Sequence, residues 1–179
     1  MSSVPGIEIR SEVAAAWKER QGVVALESSL ISHGLPWPVN LETARGAEKA
    51  VREQGAVPAT IAILQGRPTV GITDSEMEFL AKGKGILKAS RRDLAIMMGH
   101  GGSAATTVAA TMFFAFLAGI RILATGGIGG VHRPTASYRD VSSDLLELSR
   151  TPVAVVCAGA KSILDISQTL ETWKPLVCQ

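Results

Sequence analysis

A lysine follows a run of small and apolar residues at the point where the sequence pattern changes from strand to helix. In VVCAGAKSILD, residues 155–165, six such residues precede Lys161 and a helical pattern follows it. A lysine in that place loses hydration and lies at the positive end of a helix dipole, and both effects favour the neutral amine. A neutral amine can attack a carbonyl carbon or C1 of a sugar. The alternative is a lysine whose ammonium group reaches water while its methylene chain is buried.

A glutamate ends another apolar run. Glu27 directly follows VVAL, and the pattern predicts partial burial of its carboxyl group. Burial favours the protonated form, which a general acid needs near neutral pH. The alternative is a solvent-facing residue at the end of a strand, and this stretch alone does not decide between them.

Two aspartates enclose a pair of hydroxyl side chains. Asp140 and Asp144 are four residues apart, and Ser142 and Ser143 lie between them. If a helix begins near Val141, the stretch presents a carboxylate, hydroxyls and free backbone amides, which suit a divalent cation and a phosphate group. The alternative is an ordinary helix cap.

Four glycines fall within five positions in TGGIGGVHR, residues 125–133, directly after an apolar strand. Glycines allow the backbone to approach a ligand and to turn its amides toward it, as in phosphate-binding loops; a flexible turn is the alternative. The spacing matches neither common glycine pattern of nucleotide-binding loops, so a dinucleotide site is poorly supported. Lys88, in ILKAS, could bind an anion or face solvent.

Alternating strands and helices must position these side chains. The first part of the chain predicts a helix over 10–20, a strand over 23–29 and a helix over 40–54 with Asn40 as its N-cap. Two short strands around a QGRP turn follow within 58–73.

The second part of the chain continues the same alternation. Its predicted elements are a helix near 74–83, a strand at ILKAS, a long buried helix opened by Asp93 or Ser103, a strand at RILATGG, a helix over 141–149, a strand at PVAVVCAGA and a helix that begins at Lys161. The later strands are continuously apolar, which favours an α/β fold around a mostly parallel, buried sheet.

Composition limits the class of protein. The 179 residues suit a single domain, and 46% hydrophobic residues can form a sizeable core. A net charge of +2 with both signs interspersed predicts neither a nucleic-acid partner nor an anionic membrane surface. The longest apolar stretch, 104–120, is too short for a membrane span and carries three threonines. Two cysteines without disulfide or metal-ligand spacing predict a reducing, cytoplasmic setting.

The motifs taken together resemble a known family, the pseudouridine-5'-phosphate glycosidases. The similarity extends from about Val23 to Glu171 and rests on many segments in a fixed order. These segments are ALESSLISHGLP, QGAVPATIAI, KASRRDL, ATTVAATM, ATGGIGGVHR, DVSSDLLEL and VVCAGAKSILD.

The resemblance implies an activity and a set of functional residues. It implies cleavage of the carbon–carbon glycosidic bond of pseudouridine 5'-phosphate to uracil and ribose 5-phosphate, with a manganese ion, in a homotrimer. Lys161 matches the family's nucleophile, Glu27 its proton donor and Asp140 its manganese ligand. The substrate-binding positions that it implies are Lys88, Val108, His132, Ser142, Ser143 and Asp144.

The chain departs from the family pattern in two places. PTASYRD, after HR, has proline where the family often has glycine, and the last residues, WKPLVCQ, differ from the strands and helices with which the family continues. We therefore expect one domain over 1–179 that is incomplete relative to the family, with a divergent tail over 173–179. An inactive fragment that keeps phosphate binding, or that associates with full-length subunits, is the second hypothesis. A nicotinamide-dependent oxidoreductase is a third and weak one.

Overall fold

A branched sheet forms the centre of the chain, for which a computed structural model describes residues 6–133 and 140–177. Its strands are β1 (Glu8–Ile9), β2 (Val23–Leu26), β3 (Val57–Leu64), β4 (Arg67–Val70), β5 (Leu87–Ala89), β6 (Ala104–Thr106), β7 (Ile122–Ala124) and β9 (Ala154–Val156). The main order is β1-β4-β3-β2-β7-β9, and β6 pairs with β3 and carries β5. Two further strands, β8 (Val131–His132) and β10 (Leu164–Asp165), form a separate antiparallel pair.

Most neighbouring strands of the sheet run parallel. The parallel pairs are β1 with β4, β2 with β3, β2 with β7, β5 with β6, and β7 with β9. The exceptions involve β3, whose second half pairs antiparallel with both β4 and β6. The predicted α/β fold with a mostly parallel sheet is therefore confirmed.

Seven helices surround the sheet in the described ranges. They are α1 (Ser11–Lys18), α2 (Val39–Glu53), α3 (Asp74–Lys82), α4 (Leu94–His100), α5 (Val108–Leu117), α6 (Ser143–Arg150) and α7 (Ile166–Val177). Helices α1 and α5 pack on one face, where they share a hydrophobic core with β2, β3 and β7. Helices α2 and α3 form a smaller core with β3 on the other face. None of the helices over 6–133 and 140–177 is both long and apolar enough to cross a membrane.

Helix α5 is the predicted buried helix, but it begins later than the sequence indicated. Neither Asp93 nor Ser103 opens it: Asp93 precedes the separate helix α4, and the residues after Ser103 form β6. The Thr107 hydroxyl caps α5 by accepting a hydrogen bond from the Ala110 amide. The apolar run was continuous in sequence, so hydrophobicity alone did not show that its first residues pair with β3 and β5.

Asn40 is not the N-cap of α2. The helix begins at Val39, with Pro38 in the capping position. The buried Asn40 amide instead donates hydrogen bonds to the carbonyls of Ile31 and Ala81. It thus joins α2 to the π-helical turn Leu30–Gly34 and to α3. These partners are distant in sequence, which is why a local capping rule could not identify them.

Candidate active site

The predicted site residues meet where several parallel strands end. Glu27 follows β2, Thr125 follows β7 and Cys157 follows β9, all at the same edge of the sheet. Ligands commonly bind at the carboxyl ends of strands in such sheets. A cavity of about 640 Å³ opens at this edge. All nine predicted site residues line it: Glu27, Lys88, Val108, His132, Asp140, Ser142, Ser143, Asp144 and Lys161.

Two hydroxyl groups hold the Glu27 carboxylate. Glu27 is only 8% exposed, which decides for burial over the solvent-facing alternative. One of its oxygens accepts a hydrogen bond from the Ser29 hydroxyl, and the other accepts one from the Thr125 hydroxyl. The two contacts fix the orientation of the carboxyl group at the cavity wall. Sequence reasoning missed both residues, although each lies within a segment that it had quoted.

Lys161 lies in the cavity wall but not at the start of a helix. The prediction of a strand-to-helix junction was wrong: β10 follows, and α7 begins only at Ile166. Lys161 is exposed, and its backbone amide donates to the Ile128 carbonyl at 3.1 Å. The position is therefore a loop after β9 held against the glycine segment. The burial and the helix start that the sequence indicated at Lys161 are therefore both absent.

Close packing accounts for three of the four glycines of the loop, namely Gly127, Gly129 and Gly130. A Cβ atom at Gly129 would lie 2.2 Å from Ser142 Oγ, and one at Gly130 would lie 2.5 Å from Thr169 Oγ1. A Cβ at Gly127 would approach Lys161 Cγ to 3.3 Å. The amides of Gly127, Ile128, Gly129 and Val131 donate to acceptors of the protein itself. These amides are thus occupied, and the loop differs from the predicted phosphate-binding arrangement.

A buried aspartate joins the glycine segment to two helices. Asp144 is 5% exposed; its Oδ1 accepts from the Ala109 amide of α5 at 2.9 Å, and its Oδ2 accepts from the Gly129 amide at 2.8 Å. Ser142 caps α6 by accepting from the Asp144 amide. The predicted helix cap is therefore present. Direct substrate contact by Asp144 stays a prediction, since both carboxylate oxygens already bond within the protein.

The remaining predicted residues line the cavity in different ways. Val108, the first residue of α5, is fully buried beneath the cavity surface. Lys88 on β5 is exposed at the wall, as is Arg92, which the sequence analysis did not select. The neighbouring Arg91 instead stacks on Phe113, with its guanidinium carbon 3.6 Å from the ring centroid. Within the pair Arg91–Arg92, only folding distinguishes the cavity-lining arginine from the packed one.

Asp140 and His132 form an exposed pair at the rim of the cavity. His132 Nε2 lies 3.9 Å from Asp140 Oδ2, and the His132 amide donates to the Asp140 carbonyl. Over 6–133 and 140–177, no group of three His, Cys, Asp or Glu side chains could hold a metal ion. One carboxylate suits a hard cation that keeps most of its water ligands, which is a common way of binding such ions. The residues present thus fit a largely hydrated divalent ion at Asp140.

We expect Asp144→Ala to destabilise the fold by about 2–4 kcal/mol, because two buried backbone N–H groups lose their acceptor. Asp144→Asn keeps one carbonyl oxygen as an acceptor, so its free energy of unfolding should fall by about half as much. The matched control is Asp165→Ala, which removes a carboxylate that accepts a hydrogen bond from the exposed backbone amide of Gln168 and should cost about 1 kcal/mol. Urea unfolding measures all three. Equal losses for Asp144→Ala and Asp165→Ala would contradict the assigned role.

Comparisons with known proteins identify the family. The family described as indigoidine synthase A-like proteins matches residues 12–176. The pseudouridine-5'-phosphate glycosidase of Caldanaerobacter subterraneus is 58% identical over 92% of the chain and 54% of its own length. The glycosidase of the same name from Petrotoga mobilis is 54% identical over 96% of the chain and 56% of its length. The chain therefore spans about half the length of these relatives.

Solved structures share the fold. A prealnumycin C-glycosynthase in complex with ribulose 5-phosphate superposes with a TM-score of 0.86 at 48% identity, over 96% of this chain and 56% of that one. An indigoidine synthase A-like protein from Thermotoga maritima superposes with a TM-score of 0.85 at 37% identity. The match covers 98% of this chain and 57% of that one. The similarity to pseudouridine-5'-phosphate glycosidases expected from the sequence is thus confirmed, and the chain belongs to the indigoidine synthase A-like family.

Proposed function

We propose that the cavity at the edge of the sheet is the active site of a pseudouridine-5'-phosphate glycosidase, which releases uracil and ribose 5-phosphate. The observation that carries the proposal is the placement of Glu27 and Lys161 on one cavity with basic groups around it. Two relatives named pseudouridine-5'-phosphate glycosidase have 58% and 54% sequence identity to the chain, over 92% and 96% of its length. A structural neighbour bound to ribulose 5-phosphate adds support for a pentose 5-phosphate as ligand.

The substrate lacks a glycosidic oxygen or nitrogen that could be protonated, so the usual pair of carboxylates cannot release the base. In the proposed reaction the Lys161 amine bonds to C1' while the C1'–O4' bond breaks, and O4' takes a proton from Glu27. The bonded nitrogen gives a proton back to the Glu27 carboxylate, and its lone pair then forms the C1'=N bond as the C1'–C5 bond breaks and the bonding electrons pass to C5. C5 of uracil takes a proton, and water hydrolyses the imine to release ribose 5-phosphate and free Lys161.

The surrounding residues supply binding and orientation in this proposal. Lys88 and Arg92 are exposed cations on the cavity wall and suit the phosphate group, together with Ser142 and Ser143 at the start of α6. Ser29 and Thr125 hold the Glu27 carboxyl group in one orientation. Asp140, with His132 beside it, would hold a hydrated Mn²⁺. When bound, such an ion supplies positive charge and ordered water ligands to the substrate.

The cellular setting and the assembly belong to the same proposal. Cys157 is a free thiol, which agrees with a reducing, cytoplasmic location. The homotrimer is implied by the family resemblance. The direct test of the activity is uracil release from pseudouridine 5'-phosphate, with and without Mn²⁺. The second hypothesis, an inactive fragment, predicts no release at any Mn²⁺ concentration, even though ribose 5-phosphate still binds.

Lys161 should form a covalent adduct with ribose 5-phosphate. Incubation with the sugar phosphate and borohydride reduces the imine to a stable secondary amine, which peptide mapping places on Lys161. Lys161→Arg should give no adduct, because a guanidinium keeps the charge but cannot act as the amine. The control Lys84→Arg changes an exposed lysine outside the cavity and should leave the yield unchanged. An adduct of equal yield in Lys161→Arg, or one that maps to Lys88, would show that Lys161 is not the nucleophile.

Glu27→Gln should slow uracil release by at least ~10²-fold, the usual effect of removing a general acid. The control is Glu147→Gln. Glu147 is also buried and also accepts a bond from a threonine hydroxyl, that of Thr151, but it lies outside the cavity. Steady-state rates and unfolding curves are measured for both variants. Similar rates for the two variants would argue against proton donation by Glu27.

Asp140→Ala should abolish Mn²⁺ binding, since a hard cation loses its carboxylate ligand. Titration calorimetry measures this binding without substrate and without turnover. The control is Asp74→Ala, which removes an exposed carboxylate on α3 outside the cavity. This variant should bind Mn²⁺ with the same affinity as the unchanged chain. Mn²⁺ affinity that is unaltered in Asp140→Ala would place the ion elsewhere.

A further inference from the structure

The Lys161 side chain ends without a partner in the cavity at the edge of the sheet. Lys161 is exposed and lines that cavity. Over 6–133 and 140–177, its amine has neither a hydrogen-bond acceptor nor a carboxylate within ion-pair distance. Its backbone, by contrast, is fixed by the amide that donates to the Ile128 carbonyl. The amine is therefore held at a defined place and is available to bond to a ligand.

The carboxylates of the same cavity wall are already engaged. Both oxygens of Glu27 accept hydroxyl groups, and both oxygens of Asp144 accept backbone amides. The Asp93 carboxylate accepts the Ser90 amide. Asp140 lies at the rim, where its side chain is 74% exposed. Sugar hydroxyl groups donate hydrogen bonds to acceptors of this kind, so the described part of the cavity offers them few acceptors that the protein does not already use.

The groups that remain available are mostly cations. Lys88 and Arg92 are exposed and line the cavity. Among the residues that the structure describes, Lys88 has no partner for its ammonium group. The ion pair of Arg92 is loose, with 3.9 Å between its Nε and Asp93 Oδ1. Two cationic side chains together with an amine suit a ligand that carries a phosphate group and a carbonyl carbon.

Such a cavity selects for two functional groups rather than for one carbon skeleton. A site rejects an analogue that lacks a hydroxyl by orders of magnitude only where the site hydrogen-bonds that hydroxyl. The cavity volume of about 640 Å³ also lies within the range of roughly 300–1,000 Å³ that is typical of pockets for drug-sized ligands. An aromatic ring therefore fits as well as a pentose chain does.

We propose that the cavity binds phosphorylated aldehydes as a class, of which open-chain ribose 5-phosphate is one member. The proposal rests on the role as an amine that the proposed function gives to Lys161. The nitrogen bonds to the aldehyde carbon, the aldehyde oxygen takes both protons of the nitrogen and leaves as water, and the nitrogen lone pair completes the C=N bond. The phosphate group stays on the ligand and contacts Lys88 and Arg92. Members of the class exclude one another, because only one imine forms at Lys161.

The test uses pyridoxal 5'-phosphate, whose imine absorbs at a longer wavelength than the free aldehyde and is therefore visible without turnover. The unchanged chain should bind one equivalent, and peptide mapping after borohydride reduction should place the label on Lys161. Lys161→Arg should lose the saturable absorbance, because a guanidinium does not act as the amine. The control Lys84→Arg, at an exposed lysine outside the cavity, should keep it.

A second pair of variants tests the phosphate contact. Arg92→Gln should weaken binding of pyridoxal 5'-phosphate by at least about tenfold, since a charge-assisted contact is lost. It should leave the weaker binding of pyridoxal, which has no phosphate group, unchanged, and this result separates a lost contact from a misfolded cavity. The matched control is Arg91→Gln, because the neighbouring Arg91 stacks on Phe113 and does not line the cavity. That variant should bind both aldehydes as the unchanged chain does.

Several results would overturn the proposal. They are absence of the imine absorbance, saturable absorbance that persists in Lys161→Arg, label spread over several lysines, and equal affinities of Arg92→Gln and Arg91→Gln. A chain that releases uracil but forms no imine with pyridoxal 5'-phosphate overturns the ligand class and leaves the proposed activity intact. An imine at Lys161 in a chain that releases no uracil supports the ligand class and contradicts the proposed activity.

Discussion

The arrangement of the site depends on one buried carboxylate. Asp144 accepts hydrogen bonds from the backbone of α5 and from the glycine segment, while its own amide is capped by Ser142. Two pieces of chain, which lie 35 and 15 residues before Asp144, are thereby fixed to its side chain. A charged group in such a place is stable only because both of its oxygens find donors. The cavity wall formed by these pieces follows from that requirement.

The glycine segment transmits this constraint to Lys161. Ile128 donates to the Gly159 carbonyl and accepts from the Lys161 amide, so the two loops after β7 and β9 continue side by side. The glycines allow the close approach that these bonds require. Lys161 therefore owes its position to backbone hydrogen bonds beyond the ends of two parallel strands. No helix is needed to place it, which differs from what its local sequence indicated.

The sequence was informative where chemistry and local pattern coincide. Apolar runs ending in Glu27 and in the segment before Lys161 predicted two strands, and the motifs selected residues that the structure brings to one cavity. It was uninformative where a partner is distant in the chain. The bonds from Thr125 to Glu27, from Asn40 to Ala81 and from Arg91 to Phe113 all join separate elements. Residue type and spacing do not encode such pairs, because each pair exists only after the elements have packed.

Strand register has a consequence for the Glu27 carboxylate. Leu26 is paired with Ala124 across β2 and β7, so Glu27 and Thr125 are the next residues along the two strands. Successive side chains of a strand point to opposite faces, and a slip by one residue would turn Thr125 away from Glu27. The hydrogen bonds between β2 and β7 thus fix which side chain lies beside Glu27, and a register error of a single residue is enough to change it. Mispairing of β2 and β7 during folding would yield a compact chain whose carboxylate lacks one of the two hydroxyls that orient it.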